Sequence, residues 1–217
     1  MTTLLCLPGV WPKMNCLQDF EFIIGVDSGA DLALEYGITP DLVIGDLDSV
    51  NKGKHLDEKL IFVEGQENND LSKALQLCTE KNLLDICILG FTGKRVDHEL
   101  ANYAALHNAN ENLDIRVVLD EMIIHRVTNA NDSSYNVPIS TTISIFCFEE
   151  SHVKTSGLKW NIDGEIGFSS KGLSNETTQE EFQEDNNEEE VSNDLKEFGV
   201  DSDAPDLFSS ESDNSSP

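Results

Sequence analysis

The first 120 residues alternate short apolar segments with segments of helical periodicity. The apolar segments are almost continuously hydrophobic, which is typical of strands buried on both faces of a sheet. Because strands that alternate with helices are joined by right-handed crossovers, this pattern predicts a parallel-sheet α/β (Rossmann-like) domain. The predicted strands are Thr3–Leu7, Phe22–Val26, Asp41–Ile44, Leu60–Val63, Asp85–Leu89 and Ile115–Leu119. Two buried helical stripes are also predicted, Leu71–Ala74–Leu75–Cys78 and Leu100–Ala104–His107.

The pattern changes after residue 121, where short predicted strands are separated by turns rich in Asn, Asp, Gly and Ser. This region is predicted to be all-β, with strands at Met122–Val127, Thr141–Phe148, Val153–Lys159 and Glu165–Phe168. From about residue 174 the chain is polar and acidic, with too few apolar residues to offset its ordering entropy, so we expect disorder. The predicted organisation is an α/β domain over residues 1–120, a β domain over 121–175 and a disordered acidic tail over 176–217.

The charge of the chain excludes several classes of partner. The formal net charge is −27, from 41 acidic and 14 basic residues, so neither nucleic acid nor an anionic membrane is an expected partner. No apolar run is long enough to span a membrane, and no signal peptide is expected. The five cysteines are dispersed without a CxxC pair, which argues against a disulfide framework or a zinc site and favours the reducing cytoplasm.

Five aspartates follow predicted strands or open the helices after them. They are Asp27, Asp46, Asp48, Asp70 and Asp97. Because parallel strands end at one edge of the sheet, where α/β proteins bind ligands, we expect these carboxylates to gather there. They need a counter-charge, and hard oxygen ligands favour Mg²⁺, which usually carries substrate phosphates. Taken singly, each aspartate is as well explained as a helix N-cap or a turn residue.

The loop from residue 90 to 95 supplies a complementary element. Gly90 and Gly93 are predicted to let backbone N–H groups approach a nucleotide phosphate, and Lys94 and Arg95 add positive charge that stabilises phosphate oxygens. The loop is not a P-loop, since Arg95 follows Lys94 where GxxxxGK[ST] requires Ser or Thr.

The sequence resembles the thiamine pyrophosphokinase family over roughly residues 3–175. The resemblance is carried by five blocks that are specific in combination: Val26–Ala30, Pro40–Ser49, Asn69–Leu75, Gly90–His98, and Gly157–Trp160 followed by Ser174-Asn175. It implies a C-terminal β-sandwich after the α/β domain, and a homodimer. It also implies transfer of the pyrophosphoryl group of ATP to the hydroxyl of thiamine, with release of AMP.

The resemblance further implies a role for individual residues. Asp46, Asp48 and Asp70 match the magnesium-binding carboxylates, and Asp97 matches an acidic residue near the reacting hydroxyl, which it either deprotonates or orients. Arg95 is the predicted catalytic cation beside it. Substrate contacts are implied for Asp27, Gln66, Trp160, Ser174 and Asn175.

Trp160 is implied to pack on thiamine across the dimer interface. Its aromatic face suits a cationic ligand, although without the resemblance a core or interface tryptophan is the more common interpretation.

The C-terminus departs from the family pattern. Family chains continue after the Ser-Asn pair into one or two closing strands, whereas residues 176–217 hold 15 acidic residues against the single base Lys196. The sandwich therefore either lacks an edge strand or takes one from the tail or the partner.

Two other functions stay open on the sequence alone. One is a related pyrophosphokinase that acts on a pterin alcohol, which is not expected to carry Gly157–Trp160 with Ser174-Asn175. The other is a non-catalytic interaction protein whose function lies in the acidic tail, although such a protein needs none of the five aspartates. The tail is either a solubilising extension or a docking site for a basic partner.

Overall fold

The computed structural model describes residues 1–13, 20–55, 59–63, 69–128 and 133–179, together with the backbone of residues 181–185 and 204–206. Contacts divide the chain into two compact units, Met1–Glu121 and Met122–Pro217. Within the described residues, no helix has the length and apolar composition that a membrane span requires.

The first unit is built on a parallel sheet of six strands in the order β6-β5-β1-β2-β3-β4. The strands are β1 (Thr2–Cys6), β2 (Phe22–Val26), β3 (Leu42–Gly45), β4 (Leu60–Phe62), β5 (Asp85–Leu89) and β6 (Asp114–Val118). All six predicted strands are present, and the prediction of a parallel α/β sheet is confirmed. Leu4, Leu5, Ile24, Ile86 and Ile88 are fully buried in it, each contributing roughly 1.5–3 kcal/mol of burial free energy.

The described residues of this unit form three α-helices, α1 (Gly29–Glu35), α2 (Asp70–Glu80) and α3 (Val96–His107), and a short 3-10 helix at Lys52–Lys54. Helix α2 begins at an Asn69 cap, whose Oδ1 accepts the Ser72 N–H at 2.9 Å, and it buries its predicted stripe. The predicted stripe of α3 is wrong, because Leu100 is 65% exposed and the buried residues are Ala105 and Leu106. Apolar and small residues lie on several faces of α3, so periodicity alone selected the wrong face.

The second unit is antiparallel. A four-stranded sheet has the order β11-β10-β13-β8, a two-stranded sheet pairs β12 with β9, and β7 pairs with β14. The strands are β7 (Ile123–Val127), β8 (Ser133–Asn136), β9 (Thr142–Ile143), β10 (Ser151–Ser156), β11 (Asp163–Ile166), β12 (Asn175–Glu176), β13 (Glu181–Asp185) and β14 (Ala204–Asp206). Burial alternates strictly along β10, and its inward Val153 packs in a core with Ile143, Ile145 and Cys147.

The strand that the sequence left in doubt comes from the acidic tail itself. Strand β13 pairs with β10 on one side and with β8 on the other, so it is an interior strand that links these two in the four-stranded sheet. The prediction of disorder over residues 176–217 therefore does not hold for β13 or for β14. Amino-acid composition does not predict such a strand, because its backbone hydrogen bonds to the two neighbouring strands can form with almost any side chains.

Candidate functional site

Asp27 lies where β2 ends, in a backbone conformation that is unusual for a residue other than glycine. Its φ is 47°, and its N–H donates to the Ile44 carbonyl of β3 at 2.8 Å. A positive φ outside glycine costs roughly 1–2 kcal/mol and concentrates at functional sites. The hydrogen bond fixes the end of β2 against the end of β3, which carries the next two carboxylates.

Asp46 and Asp48 leave β3 on either side of a buried leucine. Leu47 has a φ of 56° and packs with Ala30, Val43 and Val50, so the two flanking aspartates are held at the surface. The Asp48 N–H donates to Asp46 Oδ1 at 3.3 Å, and the Ser49 hydroxyl donates to Asp48 Oδ1 at 2.7 Å. The loop thus presents two carboxylates side by side.

The structure brings Asp27, Asp46 and Asp48 together. Carboxylate oxygens of these three residues lie within 4.8 Å of one another. Burial is the first cause that raises the pKa of Asp27, and the charges of Asp70, Asp46 and Asp48 raise it further, against a lowering hydrogen bond from the Ser28 N–H.

One buried oxygen marks this cluster as a fit for a cation. Asp27 Oδ1 has no hydrogen-bond partner among the described residues, although a buried acceptor normally has one. Three convergent carboxylates with such an oxygen fit a hard divalent cation, which would supply the missing partner and the counter-charge.

Asp70 stands beside the cluster and is paired with a buried lysine. It opens α2 and raises the pKa of Asp27 electrostatically, but it is not one of the three converging carboxylates. Lys73 donates to Asp70 Oδ1 at 3.0 Å and is only 8% exposed. Sequence reasoning gave Lys73 no role, although a lysine one turn after Asp70 on the same helix was the available signal.

The raised pKa of Asp27 predicts how stability depends on pH. A raised folded-state pKa means that the stabilising contribution is present below the unfolded value, about 3.9, and is lost as the pH rises through the folded value. At pH 7, without divalent cations, Asp27→Asn should therefore raise the melting temperature, and the gain should vanish below about pH 4. Thermal unfolding in EDTA at both pH values measures this. Asp120→Asn, at an exposed carboxylate of the same unit, should change little, and a lower melting temperature for Asp27→Asn at pH 7 would contradict the assignment.

The glycines of the 90–95 loop allow this loop to pack closely against the backbone that follows β1. A Cβ on Gly90 would lie 2.1 Å from the Leu7 carbonyl oxygen, so the two backbones touch. The Gly93 N–H donates to Glu99 Oε1 at 2.7 Å, and it is therefore already engaged within the protein. The geometry gives these glycines a packing role and leaves the exposed Lys94 as the loop's unengaged charge among the contacts described.

Arg95 and Asp97 are paired with each other at the surface. The Arg95 Nε donates to Asp97 Oδ1 at 3.0 Å, and Nη2 donates to Oδ2. This hydrogen bond is the main reason that the pKa of Asp97 is lowered. Among the described residues, no contact joins Asp97 to the cluster of three. The pairing holds the Asp97 carboxylate in one orientation, with both of its oxygens engaged by Arg95.

Trp160 lies in the second unit, beside a surface pocket of about 330 Å³. Its side chain is 59% exposed, so it is not a core tryptophan in this chain, and the Lys159 Nζ lies 5.0 Å from the centroid of its ring. The pocket is lined by Trp160, Asn161, Ile162, Asp163, Lys171, Leu173 and Asn175.

Asn175 fixes the backbone of Trp160. Its Oδ1 accepts the Trp160 N–H at 3.1 Å and its Nδ2 donates to the Trp160 carbonyl at 2.7 Å, while only 5% of the residue is exposed. The geometry thus makes Asn175 a residue that positions Trp160. Ser174 is exposed with a φ of 56°, and its N–H donates to the Ser144 Oγ at 3.0 Å. Gln66 lies outside the described residues.

The fold and the site define a class of protein. An α/β unit carries a cluster of carboxylates that fits a divalent cation, and a β unit follows it with an exposed tryptophan beside a surface pocket. Comparison with known families agrees with that division. Residues 14–119 match the model "Thiamin pyrophosphokinase, catalytic domain", and residues 125–187 match "Thiamin pyrophosphokinase, vitamin B1 binding domain". The chain belongs to the thiamin pyrophosphokinase family, which confirms the resemblance.

Curated relatives share part of the chain. Thiamin pyrophosphokinase 1 of Caenorhabditis elegans is 26% identical over 136 residues, which are 57% of this chain and 56% of that protein. Thiamine pyrophosphokinase of Bacillus subtilis is 34% identical over 102 residues, 44% of this chain and 48% of that protein. The chain thus spans about half the length of these relatives in the matched regions.

Solved structures extend the likeness over nearly the whole fold. The thiamine pyrophosphokinase of Bacillus subtilis superposes with a TM-score of 0.71 at 22% identity, covering 95% of this chain and 97% of that one. The enzyme of Candida albicans gives a TM-score of 0.71 at 17% identity, covering 95% and 88%. These neighbours confirm the predicted architecture of an α/β unit followed by β strands.

Proposed function

We propose that the chain is a thiamine pyrophosphokinase, which transfers the pyrophosphoryl group of ATP to the hydroxyl of thiamine and releases AMP. The observation that carries this proposal is the convergence of Asp27, Asp46 and Asp48 within 4.8 Å. It occurs in a chain whose two regions match the two domains of that family.

Magnesium is the proposed cofactor of the cluster. Asp27, Asp46 and Asp48 would hold Mg²⁺, with Asp70 beside them on α2. All four offer the hard oxygens that Mg²⁺ prefers, and a bound Mg²⁺ would neutralise charge on the phosphates of ATP. Lys73 holds Asp70 in place, because its ammonium is buried and donates to that carboxylate.

The residues of the first unit are proposed to position the reaction. The alcohol oxygen of thiamine forms a bond to the β-phosphorus and loses its proton to water, while the bond from that phosphorus to the oxygen of AMP breaks. Such transfers depend mainly on positioning and charge neutralisation. Arg95 holds Asp97 in one orientation, so Asp97 can accept a hydrogen bond from the hydroxyl. Lys94 is exposed beside them and is the proposed contact for phosphate oxygens.

The second unit is proposed to bind thiamine at Trp160. The exposed ring offers a flat aromatic face to a cationic ligand, and Asn175 keeps that ring presented. An acidic chain also attracts a cation over longer distances. A homodimer and a cytoplasmic location complete the proposal, and both rest on the sequence analysis.

Trp160→Ala is expected to raise the KM for thiamine about tenfold, because a cation–π or stacking contact contributes roughly 0.5–2 kcal/mol. The KM for ATP should change less than twofold, since the acidic cluster is untouched. Trp160→Phe is the matched control and should recover most of the affinity for thiamine. Steady-state kinetics with each substrate varied measures both constants, and equal increases for thiamine and ATP would contradict the stacking role.

Product analysis tests the proposed function itself. The protein is incubated with ATP, Mg²⁺ and thiamine, and AMP and thiamine diphosphate are separated by anion exchange. Equal amounts of the two products are expected, with none in EDTA. A pterin alcohol in place of thiamine should give no AMP. Formation of AMP with the pterin alcohol but not with thiamine would instead identify the chain as a related pyrophosphokinase that acts on pterin alcohols.

A further inference from the structure

A carboxylate on α1 ties this helix to the segment that follows the loop of Asp46 and Asp48. Asp31 Oδ2 accepts the Asn51 N–H at 2.8 Å, and Asp31 Oδ1 lies 3.1 Å from His55 Nε2. The side chains are well covered, with 4% of His55 and 16% of Asp31 exposed. A pair so shielded from water holds its geometry better than an ion pair at the surface.

The two tied segments are those that carry the carboxylate cluster. Helix α1, on which Asp31 lies, begins two residues after Asp27. Asn51 and His55 flank the 3-10 helix at Lys52–Lys54, directly after the loop of Asp46 and Asp48. The pair therefore joins the segment of Asp27 to the segment of Asp46 and Asp48 at a point outside the cluster.

The cluster needs such a restraint. Three carboxylates within 4.8 Å repel one another when no cation is bound, which drives the loops apart. Leu47 and Val50 give an apolar anchor against Ala30 of α1, but apolar packing is non-directional. The hydrogen bonds to Asp31 add the directional anchor after residue 50.

We propose that Asp31 and His55 are positioning residues that hold the Asp46–Asp48 loop against Asp27, so that the cation site is formed before the cation arrives. This inference rests on the proposed function only for the identity of the site as a divalent-cation site. Partners outside the first coordination shell typically change metal affinity by about 10–100-fold when removed.

The experiment measures Mn²⁺ binding to the full chain by electron paramagnetic resonance, in parallel with AMP formation. His55→Ala removes the donor and is expected to weaken Mn²⁺ binding about tenfold. It should raise the Mg²⁺ concentration for half-maximal activity by a similar factor, with kcat at saturating Mg²⁺ nearly unchanged. His55→Gln restores an N–H donor and should recover most of the affinity.

Two further variants keep the outcome interpretable. Asp31→Asn is nearly isosteric and should fold even if His55→Ala does not; it is expected to weaken Mn²⁺ binding about tenfold, the low end of such effects. Asp41→Ala is the matched control, because the Asp41 carboxylate accepts the Ile23 N–H at 2.9 Å just before β3, at its amino end. Asp41→Ala should lower thermal stability without changing Mn²⁺ affinity.

The outcomes separate this inference from the proposed function. Unchanged Mn²⁺ affinity in folded His55 and Asp31 variants would overturn the positioning role, as would a wild-type chain that binds no Mn²⁺. A wild-type chain that binds Mn²⁺ but makes no thiamine diphosphate would refute the proposed function, and the affinities of the variants would still decide the positioning role.

Discussion

Replacing Asp46 with asparagine is expected to lower the rate of thiamine diphosphate formation by about a hundredfold or more, since a charge that holds the metal contributes several kcal/mol to catalysis. Asparagine has the same size, and its amide oxygen still accepts the Asp48 N–H, so the loop should keep its shape. The melting temperature should therefore not fall, and relief of repulsion among the three carboxylates should raise it slightly in EDTA. Initial rates at saturating ATP and thiamine, with thermal unfolding in parallel, measure both effects.

The matched control for Asp46→Asn lies just before the same strand. Asp41 precedes β3, whereas Asp46 follows it, so Asp41→Asn changes the same charge away from the proposed site. Its rate should stay within about twofold of the wild type, as expected for a surface charge. Full activity in Asp46→Asn, or equal losses in both variants, would rule out the metal assignment.

Gly90→Ala is expected to destabilise the first unit by about 3 kcal/mol or more, the sum of overpacking and a positive φ. The added Cβ would lie 2.1 Å from the Leu7 carbonyl oxygen and 2.7 Å from the Trp11 Nε1, at a φ of 72°. The first neighbour is backbone that follows the central strand β1, and the Trp11 Nε1 itself donates to the Leu7 carbonyl at 2.9 Å. Chemical denaturation followed by circular dichroism measures the loss.

Gly37 supplies the control for this substitution. It has a φ of 77°, but among the described residues, its two chain neighbours aside, no heavy atom lies within 4 Å of the position that a Cβ would take. Gly37→Ala should therefore cost only about 1–2 kcal/mol, from the backbone conformation alone. If the two alanine variants lose the same stability, then the close approach of Gly90 to Leu7 does not contribute.

The first unit could be predicted well because its strands carry a strong local signal. Strands β1, β2, β3 and β5 are apolar along most of their length, and an aspartate follows β2 and β3 at the edge where ligands bind. Helix α2 was equally predictable from the sequence, since Asn69 is a good N-cap residue and the apolar residues that follow it are regularly spaced. These features depend on neighbours in sequence, which a single chain displays directly.

The composition of the cluster depends on neighbours in space and was only partly predictable. Strands β2 and β3 are paired, so Asp27 meets Asp46 and Asp48, while Asp70 lies beside these three and is paired with Lys73. The strand order determines which aspartates lie together, and no single segment of the sequence predicts that order. Gly93 is a similar case, because its N–H is taken by Glu99 six residues later, and no local pattern shows it.

The second unit shows the limit of composition as a guide. Strand β13 lies in a segment rich in glutamate and forms because β8 and β10 flank it on both sides. Its existence is a property of the sheet and not of its own residues. Trp160 is the opposite case, since its exposure beside a pocket agrees with the family motif and not with the general tendency of tryptophan to be buried.

The most direct test of the central claim is the electron paramagnetic resonance of Mn²⁺ with a non-hydrolysable ATP analogue. Wild-type protein should bind one Mn²⁺ more tightly when the analogue is present, because carboxylates and phosphates share the cation, and Asp46→Asn should lose most of that binding. The account would be contradicted if the wild type and Asp46→Asn bind Mn²⁺ equally tightly, or if the analogue does not change the affinity of the wild type for Mn²⁺.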